Sequence, residues 1–409
     1  MTTRATVRGR QMGQQLESLR RGNASAVLSE IRARRPVARS EIASSVGLSA
    51  GAITKIIVEL ERAGYIAETS PPEPVPARGR GRPRRPLTLD LDRYRFIGVH
   101  VGLRRVTAGL VDLAGEVVAL RSREHDSAAP PIVMRAATAL VREVVERSGV
   151  GHEDVLGYGA CIGGWVSPEA GTVRAFEGLG WRDVAVAEGL RVDGLPVPRL
   201  ESTVRALALA EARLAAAAGA HNVLYVFVGN VIGCAQVVHG DIARGQHDAA
   251  GLIGHVSSGS RSAVPCTCGR HDCLWAVTSD AALTLAAQER GLLPSGATID
   301  DLVAVAQGTG ADTRTARRML EQRAVRVGTT VAALIDIHDP DLAIIGGGDV
   351  ASSKERFGQV VSTARQRVVV GGRAPTPIQP AVLIGPSGLV QGAATPVLDA
   401  FYADPLARS

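Results

Sequence analysis

Beyond Tyr94 the chain writes one design twice, and this repeat limits the folds open to it more than any other feature. Phe96-Ile-Gly-Val-His-Val-Gly102 leads to Thr107-Ala-Gly-Leu-Val-Asp112, and Val223-Leu-Tyr-Val-Phe-Val-Gly229 leads to Cys234-Ala-Gln-Val-Val238. Each pair reads as a β-hairpin, two short runs rich in β-branched residues separated by a turn. Alanine-rich helical stretches follow, among them residues 204–218. Strands alternating with helices in two copies predict two related α/β lobes with mixed sheets, and the cleft between such lobes is the default ligand site. Aromatics are only 3% of the residues, so Ala, Val, Leu and Gly must build the interior. With 45% hydrophobic content, the 46 glycines suit tight strand-to-helix turns better than disorder.

Inside the second copy lies a set of soft metal donors: His255 and the run Cys266-Thr-Cys-Gly-Arg-His-Asp-Cys273. Three thiolates and an imidazole complete a tetrahedral zinc set, and Gly269 permits the sharp turn that three donors within eight residues require. The competing reading is of small buried apolar cysteines, or a disulfide, beside an ordinary core histidine. Five cysteines, with Cys161 and Cys234 standing apart, do not pair evenly. The first ten residues are basic and lack an apolar signal segment, and no run of about 18 apolar residues occurs. A soluble, cytoplasmic protein is expected.

At 409 residues the chain should divide into two or three units. Charge divides it too. Up to residue 95 there are 18 basic against 9 acidic residues, a net of +9, whereas the rest carries 28 against 31, a net of −3. A basic segment on a mildly acidic body implies a polyanionic partner for the first part only.

Within that segment Ala24, Val27, Leu28 and Ile31 fall at helical spacing until Pro36. Ser40 can cap a second helix carrying Ile42, Ala43 and Val46, and Gly47 turns the chain into a third helix opened by Ser49. There Ile53, Ile56, Ile57 and Leu60 share one face, leaving Gly51, Thr54, Lys55 and Val58 on the other. Three short helices of this kind match a helix-turn-helix, although a helical bundle for protein contacts would share the spacing. Tyr65–Glu68 and Leu87–Asp90 read as two strands bracketing a wing. Its tip, residues 78–85, holds Arg78, Arg80, Arg82, Arg84 and Arg85 without an acid, and its Arg80-Gly-Arg-Pro83 core resembles an AT-hook suited to a narrow minor groove. A charged linker is the plainer reading of the tip taken alone.

With the winged module in front, the repeated lobes and the His255–Cys273 run resemble the ROK family, which groups bacterial sugar kinases with repressors and other regulators. The resemblance spans about Asn23 to Leu398 and includes Pro340-Asp-Leu-Ala-Ile-Ile-Gly-Gly-Gly348, similar to the family's nucleotide-side strand and glycine turn. It implies a winged helix-turn-helix followed by a two-lobed actin-like, sugar-kinase-like body with a structural zinc motif. The expected divisions are a flexible tail over 1–22, the winged module over 23–92, a first lobe over 93–200, and a second lobe over 201–409 whose last helices return toward the first.

The same resemblance marks what is missing. Family kinases take the sugar's proton with the aspartate of a Glu-Asn-Asp segment, which here reads Glu201-Ser202-Thr203. A threonine hydroxyl has no basic form near neutral pH and cannot replace that carboxylate. His100 stands where the first phosphate motif begins with aspartate, Leu103-Arg104-Arg105 replaces small residues, and Val231 replaces a glycine of the second motif. The family's Glu-x-Gly-His appears as Leu252-Ile-Gly-His255, its Cys-Leu-Glu as Cys273-Leu-Trp275, and Gly178 stands where asparagine is common. Gly178, Glu201, Ser202, Thr203, Leu252, His255 and Trp275 therefore form the expected degenerate effector pocket.

The expected protein is not an enzyme. It is a DNA-binding transcriptional regulator of sugar or related metabolism, a repressor, that uses Ser40, Ser49, Gly51, Thr54, Lys55, Arg78, Arg80, Arg82 and Arg84. Its partners are double-stranded operator DNA, pseudo-palindromic and A·T-rich in part, a sugar or sugar-phosphate effector, and a second copy of itself in a homodimer or homotetramer. Zinc is the expected cofactor. A nucleotide-dependent sugar kinase with an accessory DNA domain and a ligand-independent architectural DNA binder are the alternatives.

Overall fold

The computed structural model describes residues 3–69, 85–369 and 375–407, with side chains from residue 17 onward. Helix α1 (Thr3–Arg34) packs with α2 (Arg39–Val46) and α3 (Ala50–Arg62), burying Ala24, Val27, Leu28, Ile31, Ile42 and the Ile53, Ile56, Ile57, Leu60 face. The flexible tail expected over 1–22 is corrected: from Thr3 those residues are the opening turns of α1. Arg, Gln and Leu favour the helix, and Arg20 to Glu59 and Arg21 to Asp404, each at 2.9 Å, tie its side to the rest of the chain. Ser40 is also not a cap. The cap is Ala38, two residues earlier, and the Glu41 carboxylate accepts from the Ala38 N–H at 2.9 Å. Gly47, at φ 68°, ends α2, and Ser49 caps α3 by accepting from Ala52 N at 3.3 Å.

Two short strands, β1 (Ile66–Glu68) and β2 (Leu87–Leu89), pair antiparallel with Ile66 opposite Leu89. The tip between them, with Arg78, Arg80, Arg82 and Arg84, lies outside the described residues.

Two five-stranded sheets follow, built on one plan. The first holds β3 (Arg95–Val101), β4 (Arg105–Val111), β5 (Val117–Glu124), β6 (Val155–Ile162) and β10 (Arg199–Ser202), with α4 (Pro130–Ser148) between β5 and β6. A small sheet of β7 (Trp165–Ser167), β8 (Thr172–Phe176) and β9 (Trp181–Val184), then the short α5 (Val186–Gly189), intervene before β10. After α6 (Thr203–Ala216), the second sheet holds β11 (Asn222–Val228), β12 (Ile232–Val238), β13 (Asp241–Ile242), β14 (Leu342–Gly346) and β15 (Ile378–Pro380). In each sheet an antiparallel meander of three strands is extended by two parallel strands beyond its first member: order β5-β4-β3-β6-β10, and β13-β12-β11-β14-β15. The repeated hairpins of the sequence are the seeds of these two sheets.

Both faces of each sheet are covered, which is why their central strands read as nearly continuous apolar runs. Leu224, Val226 and Val228 face α10 (Ala311–His338) and α12 (Lys354–Arg367), whereas Val223 and Tyr225 face α6. The remaining helices are α7 (Leu274–Thr278), α8 (Asp280–Glu289), α9 (Ile299–Gln307) and α11 (Gly348–Ser352). The first sheet packs α4 on one face and the last helix, α13 (Gly385–Ala403), on the other. Helix α13 lies almost on the strands because glycines face it. A Cβ on Gly98 would overlap the Val390 carbonyl oxygen, and one on Gly159 the Ala393 carbonyl oxygen. The first sheet ends with Ser202 in β10, and α6 follows directly. Among the described residues no single helix is long and apolar enough to cross a membrane.

Gly159→Ala should therefore cost about 1–3 kcal/mol, since the overlap is with backbone that cannot yield locally. Gly358→Ala, inside α12 with open space around its Cβ position, should stabilise by about 1 kcal/mol. Urea melts of the two variants check both signs.

Candidate functional site

The four metal donors predicted from sequence meet. Ligand atoms of His255, Cys266, Cys268 and Cys273 all lie within 4.8 Å of one another, with Cys266 Sγ 3.3 Å from His255 Nδ1 and Cys268 Sγ 3.4 Å from Cys273 Sγ. The turn is shaped by Gly269 at φ 84°, whose N–H donates to the Cys266 carbonyl at 2.8 Å while Cys266 N donates to the Arg270 carbonyl at 2.8 Å. A bridge between Ser257 and Cys273 brings the histidine segment alongside. Burial pushes the Cys273 thiol up to about 12, and hydrogen bonds from Arg270 pull the exposed Cys268 down to about 6. Three sulfurs and an imidazole crowded this closely suit one soft tetrahedral cation, which would remove the cost of a buried thiolate. The four positions would all be filled by protein. None would remain for a substrate.

Of the residues expected in the effector pocket, Ser202, Thr203 and Leu252 line a narrow cleft between the lobes, together with Gly163, Val231 and Gly251. Gly178 does not open into it: a Cβ there would overlap Leu103, which covers the glycine. Trp275 packs against Cys266 and Cys273, and its indole N–H donates to the Asn230 carbonyl at 3.0 Å in the β11–β12 turn. His255 belongs to the metal cluster. Glu201 lies behind the cleft wall, buried, and its carboxylate accepts from Ser202 N at 2.8 Å, from Arg205 Nε at 2.6 Å and from Arg244.

Arg205 and Arg244 are the residues that sequence reasoning passed over. The Arg205 guanidinium, 3% exposed, donates to Glu201, to the Val166 carbonyl of the first lobe at 2.8 Å and to the Asp248 carbonyl of the second at 2.6 Å. Its only signal in the sequence was a Glu–Arg spacing of four, which here runs from β10, where Glu201 lies, into the first turn of α6. Further bonds cross the same seam: Trp165 Nε1 donates to the His247 carbonyl at 2.7 Å, and Ser167 Oγ donates to Asp248 Oδ2 at 3.0 Å.

The kinase-like positions have changed physically as well. His100 is held neutral, burial lowering it to about 4. Val231 reaches across the seam, with its Cγ2 2.8 Å from where a Cβ on Gly163 would stand. Thr203 opens α6 at the cleft, 5% exposed, and its hydroxyl meets no nitrogen or oxygen partner. The buried Cys161 thiol, pushed up to about 12 by burial, lies beside it.

Of the candidates expected to contact DNA, Ser49, Gly51, Thr54 and Lys55 at the start of α3 and Ser40 on α2 are each exposed. Thr54 Oγ1 donates to the Ala50 carbonyl at 2.8 Å.

Truncating Arg205 to Ala should cost about 3–5 kcal/mol, because it leaves buried Glu201 with one guanidinium fewer and two carbonyls without donors. Chemical denaturation measures it.

Comparison with known proteins agrees with this geometry. The family model for ROK, "ROK family", matches residues 96–399. A transcriptional regulator of Mycobacterium tuberculosis is 28% identical over 405 residues, covering 94% of this chain and 86% of that protein. The glucokinase of Halalkalibacterium halodurans is 26% identical over 277 residues, covering 62% of this chain and 80% of that protein. Among solved structures, a ROK family transcriptional regulator, homologue of the Escherichia coli MLC protein, superposes with a TM-score of 0.74 at 22% identity, covering 94% of this chain and 97% of that one. The body is the α/β fold shared by ROK sugar kinases and regulators, and this chain belongs to the ROK family.

Proposed function

We propose that the protein is a DNA-binding transcriptional repressor of sugar or related metabolism, with a kinase-like body that no longer transfers phosphate. The observation that carries this reading is Thr203 at the cleft, where a base would be needed, on a chain whose third helix presents Gly51, Thr54 and Lys55 to solvent. The amino-terminal module is read as a winged helix-turn-helix over 23–92. Helices α2 and α3 meet at a bend of 114°, within the range of such motifs, and β1 and β2 form the base of the wing. The first turns of α3 then enter the major groove, and Arg78, Arg80, Arg82 and Arg84 add salt-dependent contacts to an A·T-rich minor groove. The regulator relative aligns along both module and body, whereas the glucokinase aligns over 62% of the chain.

Two modules on a homodimer or homotetramer would read a pseudo-palindromic operator, in the cytoplasm. The four-donor cluster holds a structural zinc that braces the cleft wall, since it adjoins Trp275 and the segment leading from Leu252. The cleft takes a small effector, a sugar or sugar phosphate, whose binding changes operator affinity.

Operator sequences selected from a random pool give the substrate for the tests. Replacing Thr54 and Lys55 by Ala should relax base preference by about 1–3 kcal/mol at the contacted positions and flatten the salt dependence, as anisotropy titrations would show. Sequence preference unchanged in that variant, or ATP-dependent phosphorylation of any hexose or amino sugar by the wild type, overturns the reading. Elemental analysis should find about one zinc per chain, and Cys266→Ser should lose the metal and lower the melting temperature.

A further inference from the structure

We propose that the cleft at the start of α6 is an oxyanion site, selecting an effector by a carboxylate or phosphate group where the fold's kinase members position a sugar hydroxyl. This rests on the body carrying an effector cleft, and it names the chemistry which that cleft selects. The first observation is Thr203 itself. Its hydroxyl is buried on a residue that lines the cleft and lacks a nitrogen or oxygen partner, so a polar group stands desolvated with only the Cys161 sulfur beside it. The Cys161 sulfur beside it is only a weak acceptor for that proton, which a charged oxygen would outcompete.

The second observation is the backbone. Thr203 and Val204 are the first two residues of a 14-residue helix, so their N–H groups have no carbonyl partner within it, and both residues line the cleft. The Ser202 side chain, the cap, accepts from Arg205 N at 3.2 Å and leaves those first two donors to whatever enters. A hydroxyl and two N–H groups at a helix amino terminus are the kind of donors an anion needs.

The third observation is charge. None of the cleft-lining residues is Asp or Glu, while Arg205 is among them. Behind the wall Arg205 and Arg244 both bond Glu201, two guanidinium groups to one carboxylate, an excess of positive charge that the partly exposed Arg244 shares with solvent. An aspartate at position 203 would cancel it and repel an anion. Threonine keeps the shape and removes the repulsion. The other walls, Val231, Ile232 and Leu252, are apolar and add no competing acceptor.

The test uses the full-length protein and three matched probes: D-glucose, D-gluconate and D-glucose 6-phosphate, titrated calorimetrically. At least one of the two anions should bind at least tenfold more tightly than glucose, and which of them does so tells a carboxylate source from a phosphate source. Thr203→Asp should weaken that anion at least tenfold, and Thr203→Val, which keeps the side-chain shape without the hydroxyl, should weaken it by several fold, with circular dichroism melts establishing that both variants fold. Glucose binding as tightly as both anions, neither anion binding, or Thr203→Asp binding the anion as wild type does, each overturns the proposal. Operator binding by the ligand-free wild type is measured separately. Its failure beside intact anion binding sinks the repressor reading alone, and anion failure beside intact operator binding sinks the oxyanion site alone.

Discussion

The close approach of α13 to the first sheet is the contact on which the rest of the molecule depends. Glycines at 98 and 159 let the backbone of α13 lie where side chains would otherwise hold it away, and Gly392 gives Leu207 of α6 the same intimacy from the other side. One helix thus touches the first sheet and the first helix of the second lobe. Its end also carries the amino-terminal module. Phe401 packs its ring 4.9 Å from Tyr65 and 5.5 Å from Phe96, the Tyr402 hydroxyl donates to the Leu113 carbonyl at 2.8 Å, and Arg32 of α1 lies over the Tyr402 ring. Arg32 also donates to the Ala114 carbonyl at 3.0 Å. The hydrophobic cluster of the module is continuous with residues of α13, so a shift of either would be felt by the other.

Helix α6 gives this arrangement its second end. It begins at the cleft with Thr203, packs on the second sheet, lies against α13, and pairs Arg213 with Asp399 of that helix. The cleft and the three-helix module are therefore separated by two packed helices and no flexible linker among the described residues. The lobes are also stitched at the seam by Arg205, Trp165 and Ser167. A body of this kind transmits strain because close-packed interiors yield little. Thr203, in place of the aspartate of the kinase segment, lies in the cleft wall, and Glu201 accepts from two arginines behind it.

Much of this was legible in the chain. The three cysteines assembled as their spacing required, because soft ligands within eight residues leave a turn few alternatives, and the Ser257–Cys273 bridge brought His255 to them. The helices of the amino-terminal module followed their apolar faces, and Gly47 and Ser49 ended and opened helices where short-range chemistry says they should. Ser40 did not cap, since Glu41 could reach back to the Ala38 N–H and start the helix two residues sooner. The expected tail is helix from Thr3, and Arg20 and Arg21 on it meet Glu59 and Asp404, residues far along the chain. Gly178 and Trp275 were placed in the pocket by motif position, and packing placed them elsewhere, under Leu103 and against the cysteine cluster.

The sequence alone determined the two-fold repeat of hairpins, the metal set, the polar and apolar faces of α3 and the absence of a base at position 203, because each is written in local spacing or residue type. Only the tertiary structure decided that α13 would return to seal the first sheet, that Arg205 would bridge two lobes, and that the Thr203 hydroxyl would be left without a partner. Those outcomes depend on which backbone carbonyls and carboxylates arrive from more than 30 residues away. Local periodicity carries no record of them.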